Sequence, residues 1–185
     1  MYVAQIMSTK LDSVGKETKL YHAASMMRKK NRRFLPVVDE KNRLEGLLSH
    51  KEMARAAPSD ITTLSVGEVN YLTAKITVGE VMQRAPLTCS PSTLVEEAGL
   101  LMRQNRVGCL PVLHGDHLVG VITEDDILDF LLDITGCNLT DTTRIAVHLP
   151  DQTGMLSNLL KRINEYGGYI ATVVSPVSPV EPGKR

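Results

Sequence analysis

The chain has 185 residues, of which 43% are hydrophobic, so it can bury a sizeable core in one or two domains. Its 21 Lys and Arg residues equal its 21 Asp and Glu residues, which leaves no overall field to attract nucleic acid or an anionic membrane. No apolar run approaches the roughly 18 residues that a membrane span requires. We therefore expect neither nucleic acid nor a membrane as a partner.

The chain repeats its own pattern after 75 positions. Leu35-Pro36-Val37-Val38 returns as Leu110-Pro111-Val112-Leu113. Gly46-Leu47-Leu48-Ser49 returns one position early as Gly120-Val121-Ile122-Thr123, because the hairpin before it is one residue shorter. Such self-similarity is typical of a supersecondary unit that cannot bury its apolar face alone and packs against its copy. With two copies, we expect a closed pair and not a solenoid.

The first repeat predicts a helix, a strand hairpin and a second helix. Leu20, Ala23, Ala24 and Met27 lie at i, i+3, i+4 and i+7, so they share one face of a helix. Apolar segments separated by a polar turn predict the hairpin. The predicted elements are a short strand at 13–14, this helix, strands at 34–38 and 43–49 around a turn at 39–42, and a helix at 51–57.

The second repeat predicts the same order of elements. Its first helix has the apolar face Val95 to Met102, and Thr93 and Glu96 have the spacing of a capping box at its start. The remaining predicted elements are a short strand at 87–89, strands at 109–113 and 117–123 around a turn at 114–116, and a helix at 125–133.

The pattern changes after residue 135. Leu156, Leu159, Leu160 and Ile163 predict an amphipathic helix that ends at Gly167-Gly168. Residues 144–149 and 169–175 read as strands on either side of it, and a turn at 150–154 precedes the helix. Residues 176–185 contain three prolines and no fold signal, so we expect a mobile tail there.

The paired unit, with its h-P-V strand and its G-h-h-[ST]-x-x-[DE] ending, resembles a tandem of cystathionine-beta-synthase (CBS) domains. The resemblance implies an α+β fold, built as a pseudo-twofold pair of βαββα repeats. It also implies a homodimer and a regulatory adenine nucleotide (AMP, ADP, ATP or a relative) in the cleft between repeats. We expect repeat one at 1–60, a linker at 61–75 and repeat two at 76–135.

Residues 143–175 are similar to the front half of an ACT domain, on the motifs Asp151-Gln152-Thr153-Gly154-Met155-Leu156 and Gly167-Gly168-Tyr169-Ile170. The family's unit is βαββαβ, and only a first βαβ is present, so we predict a partial ACT-like domain. The order CBS, CBS, ACT resembles bacterial acetoin-utilisation proteins, which implies a link to acetoin or acetyl-CoA metabolism.

The strongest candidate site lies where a predicted strand ends in Thr123 and leads into a helix. Free N–H groups and a hydroxyl at a helix N-terminus favour a phosphate, and Asp126 can accept both hydroxyls of a ribose. In isolation, Thr123-x-x-Asp126 would indicate only a capping-box variant. In CBS pairs these two positions resemble the ribose and phosphate ligands of an adenosine nucleotide. We therefore predict that Thr123, Asp126 and Val121 bind a nucleotide.

The first repeat has Ser49 and Glu52 at the equivalent positions. Ser-x-x-Glu is the better capping box, and the longer carboxylate would crowd a ribose, so we expect two unequal clefts. The remaining predicted nucleotide-binding residues are Ser49, Glu52, Leu47, Thr77, Arg106 and Val107.

Basic residues cluster between Arg28 and Arg33. A cationic helix C-terminus that complements the helix dipole explains Arg28 and Lys29. Arg32 and Arg33 differ, because they precede the Leu35-Pro36 stretch that lines the shared cleft in CBS pairs. We predict that both bind the nucleotide and that Arg33 contacts a phosphate. A nucleic-acid patch is disfavoured, because no aromatic residues are interleaved.

The ACT-like turn has two interpretations. Asp151 could bind the ammonium group of an amino acid ligand, and the N–H groups of Gly154, Met155 and Leu156 could bind the carboxylate of that ligand. Alternatively, Asp151 caps a turn and Gly154 supplies a permissive backbone.

Other chemistry is disfavoured. His114 and His117 flank a turn without a nearby Cys or an acidic pair, so we predict no metal site. The three cysteines lack C-x-x-C spacing, which favours free thiols in a reducing cytoplasm. No nucleophile elbow, Walker loop or dinucleotide fingerprint occurs, so we predict neither an enzyme nor a catalytic cofactor.

Three functions follow from these residues. The first is a cytoplasmic regulatory module that binds an adenosine-containing ligand between its repeats. The second is a ligand-free dimerisation scaffold that positions the C-terminal segment for a protein target. The third is an amino-acid sensor that acts through Asp151 to Leu156. The sequence specifies neither the nucleotide nor the target.

Overall fold

The computed structural model describes residues 1–56 and 74–175, and the chain divides into two compact units, Met1–Ile127 and Leu128–Arg185. The predicted tail, and most of the predicted linker, lie outside the described residues. After a 3₁₀ turn at Val3–Gln5, the elements are α1 (Leu20–Lys29), β1 (Phe34–Val38), β2 (Leu44–Ser49), α2 (His50–Ala56), α3 (Val78–Val81), β3 (Gln83–Arg84), α4 (Val95–Asn105), β4 (Cys109–His114), β5 (His117–Thr123), α5 (Glu124–Ile134) and α6 (Met155–Glu165).

Both predicted hairpins are present, with strand ends within one residue of the prediction. Strand β1 pairs antiparallel with β2, and β4 pairs antiparallel with β5. Each hairpin has its register shift at the same place, between Val37 and Val38 in the first and between Val112 and Leu113 in the second. The sequence repeat is therefore also a repeat of backbone geometry.

The short strands predicted before each first helix are reduced to single bridges. Val14 pairs in parallel with Val37, and Cys89 pairs in parallel with Val112. Strands β1 and β4 have three and four consecutive buried residues, and Leu35, Val37, Leu110 and Val112 are fully buried. A continuous apolar run is typical of strands that are covered on both faces.

The N-terminal segments of the two repeats exchange places, which the sequence pattern did not indicate. The Val3 N–H donates to the Thr93 carbonyl at 2.9 Å, and the Val78 N–H donates to the Thr18 carbonyl at 2.8 Å. Ser8 forms a bridge with Val121 on β5, and β3 pairs antiparallel with β2. Each repeat therefore completes the sheet of the other, and the two form one compact unit.

The exchange also builds the two cores. Val78 joins the core of the first repeat, whereas Val3 joins the core of the second. The helix faces predicted from the apolar spacing are the ones that pack, and Met27 and Met102 are each 1% exposed. Burying one such side chain contributes roughly 1.5–3 kcal/mol. The other buried members are Val14, Leu20, Ala23, Leu35, Val37 and Leu48 in the first core, and Ala98, Leu110, Val112 and Ile122 in the second.

Two glycines let the exchanged segments lie close to the central strands. A Cβ added at Gly46 would lie 2.5 Å from Met82 Sδ, and one added at Gly120 would lie 2.5 Å from Met7 Sδ. Both distances are far inside van der Waals contact, so the methionine side chain occupies the space that any larger residue would need. Gly46 and Gly120 are equivalent positions of the repeat.

The capping box predicted at Thr93 and Glu96 is wrong. Helix α4 begins at Val95, so its N-cap is Leu94, and the Leu94 N–H donates to Glu97 Oε2 at 3.2 Å. The Thr93 hydroxyl instead accepts a hydrogen bond from the Ser90 N–H at 3.0 Å. The helix starts later than the spacing suggested because the backbone around Leu94 is extended where it pairs with Tyr2.

In the C-terminal unit the predicted helix is present as α6, but the predicted strands are not. Residues 144–149 and 169–175 are described without strand structure. A strand needs a neighbouring strand to satisfy its backbone groups, and neither segment lies in a sheet ladder. Helix α6 buries none of its residues. The structure therefore gives no support to an ACT-like sheet.

Candidate functional site

A cavity of about 250 Å³ lies in the unit formed by the two repeats. Five predicted nucleotide-binding residues line it: Arg32, Arg33, Val121, Thr123 and Asp126. They come from both repeats, since the arginines precede β1 whereas the other three lie at the end of β5 and the start of α5. The other lining residues are Ser8, Lys10, Leu11, Asp12, Asn31, Phe34, Pro36 and Asp125.

Thr123 and Asp126 form a reciprocal cap at the start of α5. Asp126 Oδ2 accepts hydrogen bonds from the Thr123 N–H and from Thr123 Oγ1, both at 2.7 Å. The capping interpretation of this motif is therefore correct. Among residues 1–56 and 74–175 only Oδ2 of Asp126 accepts a hydrogen bond, and a carboxylate has acceptor sites on both oxygens. The cap positions Asp126 without using all of its acceptor capacity.

Both cavity arginines form ion pairs. Arg32 Nε lies 3.1 Å from Asp12 Oδ2, and Asp12 also pairs with Lys30. Arg33 Nη2 lies 2.5 Å from Asp125 Oδ2, which joins the start of β1 to the start of α5. The hydrogen bond from Lys30 is the largest cause of a lowered Asp12 pKa, and Arg32 lowers it further against the opposing effect of burial.

Sequence reasoning missed the contribution of the exchanged segment. Ser8, Lys10, Leu11 and Asp12 belong to the first repeat in sequence, but Ser8 pairs with Val121 of the second repeat. Their pattern carries no cue for a site, because their position depends on which copy the segment packs against. Asp125 was also missed, although it lies next to Asp126 in the recognised motif.

The second cleft has the same cap with a longer acid. Glu52 Oε2 accepts the Ser49 N–H at 3.1 Å and a short hydrogen bond from Ser49 Oγ. Leu47 is 5% exposed and pairs with Gln83, so it is a core and sheet residue. None of the remaining predicted nucleotide-binding residues, which are Ser49, Glu52, Leu47, Thr77, Arg106 and Val107, lines the 250 Å³ cavity.

Thr77 and Arg106 lie in other places. Thr77 precedes α3, where its N–H donates to Glu80 Oε2 at 3.2 Å and its backbone pairs with Lys19. Arg106 ends α4 in the left-handed conformation, with φ 55°. It lines a more open groove of about 430 Å³ together with Gly99, Met102, Arg103, Glu124 and Ile127.

The residues predicted to bind an amino acid lie at the start of α6. Gly154 is the N-cap, with φ 85°, which a non-glycine residue adopts only with strain. Its carbonyl accepts hydrogen bonds from Asn158 N–H and Ser157 Oγ, each at 2.9 Å. The Met155 N–H donates to the Gln152 carbonyl at 3.3 Å, so it already has an acceptor. Asp151 and Leu156 are exposed. The permissive-backbone interpretation of Gly154 fits this geometry.

The thiols are free, and two of them are protected. Burial raises the pKa of Cys89 to about 11 and also raises the pKa of Cys109. Both are therefore protonated at neutral pH and poorly nucleophilic. Within residues 1–56 and 74–175, no group of three or more His, Cys, Asp or Glu side chains is placed to hold a metal ion. No helix in these ranges has the length and apolar composition to cross a bilayer.

The family model that describes the CBS domain matches this chain twice, at residues 3–59 and 78–133. The chain therefore belongs to the CBS domain family, as a tandem pair with an α+β fold. Both matches fall on the repeats that the 75-residue offset defines. The segment that resembles an ACT domain lies outside them.

Individual relatives agree with this assignment. A CBS domain-containing protein of Dictyostelium discoideum is 30% identical over 71% of this chain and 92% of its own length. The crystal structure of a Vibrio cholerae protein named for acetoin utilization (AcuB) is 25% identical, covers 75% of this chain and 95% of that one, and has a TM-score of 0.62. The structure of CBSX2 in complex with AMP is also 25% identical, covers 72% and 98%, and has a TM-score of 0.61.

Proposed function

We propose that this CBS pair is a regulatory module that binds an adenosine-containing ligand in the cavity of Thr123 and Asp126. We also propose that it has no catalytic activity of its own and needs no catalytic cofactor. The observation that carries the proposal is the convergence of a capped carboxylate from one repeat with two arginines from the other on one cavity. The likeness to an AMP-bound CBS protein supports the choice of ligand class.

The ligand's parts match the groups in the cavity. The Oδ1 atom of Asp126 is available for ribose hydroxyls, and the Thr123 hydroxyl and helix start favour an oxyanion. Arg33 is available for a monophosphate if it exchanges its Asp125 partner. A ligand in this position would contact both repeats, so it would bias their relative arrangement by its differential affinity for two states. Regulation of a protein target would follow from that bias.

The proposal predicts unequal losses from two equivalent substitutions. Asp126→Ala should weaken adenosine-ligand binding by roughly 1.5–3 kcal/mol, the scale of a hydrogen bond to a charged group. Glu52→Ala removes the corresponding cap from the other repeat and should change binding much less. Calorimetric titration of both variants and the unchanged chain with adenosine, AMP, ADP and ATP measures the difference.

The same titration separates the competing functions. Equal losses from both variants would contradict the assignment of the site to the second repeat's cap. Absence of saturable binding by the unchanged chain would support the ligand-free scaffold instead. Because both variants lose one helix cap, their unfolding curves control for a general loss of stability, which for a cap is about 0.5–2 kcal/mol.

We further propose a cytoplasmic homodimer. The three free cysteines suit a reducing compartment. Leu100 on α4, and Leu128 and Leu131 on α5, are each at least half exposed, and exposed apolar side chains of this kind are typical of an interface. Light scattering should give twice the 20.3 kDa mass of the chain. A role in acetoin metabolism is a narrower proposal that rests on the likeness to AcuB.

A further inference from the structure

The charges that line the cavity balance one another. Its cationic residues are Lys10, Arg32 and Arg33, and its acidic residues are Asp12, Asp125 and Asp126, which makes three of each. A site built for a highly charged anion would present an excess of cations, because each phosphate needs compensating charge when it leaves water. This cavity presents no such excess.

The two arginines already have carboxylate partners. Arg32 pairs with Asp12, whose side chain is 15% exposed and which also holds Lys30. Arg33 pairs with Asp125 at the start of α5. Each pair uses one nitrogen of its guanidinium, so a polyphosphate bound to the remaining N–H groups would lie beside a carboxylate that already neutralises the arginine and carries the same sign of charge as the ligand. Like charges at such distances disfavour the anionic ligand.

The size of the cavity points the same way. Its volume of about 250 Å³ is slightly below the range of roughly 300–1,000 Å³ that small-molecule sites occupy. A nucleoside with a short 5′ substituent needs less room than a nucleoside triphosphate. The apolar members of the lining, Leu11, Phe34, Pro36 and Val121, suit a base or a thioether and offer nothing to a phosphate chain.

We infer that the cavity selects adenosine-type ligands whose 5′ group is uncharged or positively charged over nucleoside di- and triphosphates. Asp125 is the residue that sets this selection, because it forms an ion pair with Arg33, the side chain that would otherwise bind a phosphate. This inference rests on the proposed function, since it concerns the ligand of the same cavity. It adds the charge class of that ligand and a residue that determines specificity.

The test compares ligands that share adenosine and differ in charge. The unchanged chain is titrated calorimetrically with 5′-methylthioadenosine, S-adenosylmethionine, AMP and ATP at one ionic strength. We expect 5′-methylthioadenosine and S-adenosylmethionine to bind at least tenfold more tightly than ATP. In Asp125→Asn, affinity for AMP and ATP should rise about fivefold, while affinity for 5′-methylthioadenosine should change less than twofold.

Asp116→Asn is the matched control, because Asp116 is an exposed aspartate of the same unit that does not line the cavity. It removes the same formal charge and should leave all four affinities within twofold. ATP binding as tightly as 5′-methylthioadenosine to the unchanged chain would overturn the inference while leaving the proposed function intact. Equal behaviour of Asp125→Asn and Asp116→Asn would overturn the role of Asp125. Failure of all four ligands to bind would overturn the proposed function itself.

Discussion

The two repeats share a core and differ at their margins. Buried positions correspond almost residue by residue, as with Met27 and Met102 or Leu35 and Leu110. The margins, meaning the positions that line the cavity in the first repeat and their equivalents in the second, do not correspond. Where the first repeat has Asp12, Arg32 and Arg33, the equivalent positions of the second are Leu87, Val107 and Gly108.

This difference is a further reason to expect two unequal clefts. The segment exchange places the charged margin of the first repeat opposite the Thr123–Asp126 cap of the second. By the same symmetry, the cap at Ser49 and Glu52 belongs with the apolar margin of the second repeat. A duplicated unit thus keeps its packing while its margin residues diverge. The charged margin of the first repeat makes the cavity at Thr123 and Asp126 polar.

The largest expected effect tests the equivalence of the cores. Met27→Ala and Met102→Ala each remove a side chain that is 1% exposed and leave a cavity, so each should destabilise the fold by about 2–5 kcal/mol. The two losses should agree within about 1 kcal/mol, because the surrounding residues are equivalent and differences at such sites come from how far each can collapse. Urea unfolding of both variants measures them.

The exposed Met1, 51% accessible, supplies the control, since Met1→Ala should leave the unfolding curve unchanged within about 0.5 kcal/mol. A loss of stability in one of the two core variants that is several kcal/mol larger than in the other would show that the two cores do not stabilise the fold equally. The comparison between matched cores and divergent margins would then fail.

The second effect distinguishes the two glycines under the exchanged segments. Gly46→Ala should cost about 1–3 kcal/mol, because the new methyl would meet Met82 Sδ and also lie 2.9 Å from the backbone carbonyl of Gln83. Gly120→Ala should cost less, since the new methyl would meet only the side chain of Met7, which can change rotamer. Urea unfolding of the pair measures this difference.

The double variants provide the control. Combining Met82→Ala with Gly46→Ala should recover little stability, because the Gln83 carbonyl remains in place. Combining Met7→Ala with Gly120→Ala should remove the steric part of the Gly120 cost, as a double-mutant cycle would report. Equal costs for the two single glycine variants would contradict the distinction between a rigid and a movable neighbour.

The elements of each repeat could be predicted from the sequence, but the way in which the two repeats exchange segments could not. Periodic apolar positions such as Leu20 and Met27 predict a helix face because the period depends on local geometry alone. The pairing of Ser8 with Val121 depends on which copy the segment packs against, and both copies offer the same apolar surface. Asp12 therefore could not be assigned to the cavity from sequence.

The same reasoning explains the outcome at the C-terminus. Helix α6 forms as predicted because its spacing and the glycines after it are local signals. The strands predicted at 144–149 and 169–175 depend on partners that the alternation of apolar residues does not specify. The cap at Thr123 and Asp126 was read correctly as a motif, but its ion-paired surroundings required the three-dimensional structure.

The smallest effect tests the charged margin of the first repeat. Asp12→Asn removes the carboxylate that pairs with Lys30 and Arg32. The second repeat has no such carboxylate, because Leu87 stands at the position equivalent to Asp12. The cost at pH 7 should be at most about 1 kcal/mol, the usual scale for ion pairs near the surface.

Since the folded-state pKa of Asp12 is lowered, the stabilisation that Asp12 contributes is complete above the unfolded pKa of about 3.9 and is lost as the pH falls through the lower, folded value. Urea unfolding at pH 7 and at successively lower pH should therefore show the two curves converging only in acid, whereas Asp116→Asn should show no such convergence. A difference that persists unchanged below pH 2 would mean that Asp12 stabilises the fold through its shape and not through its charge.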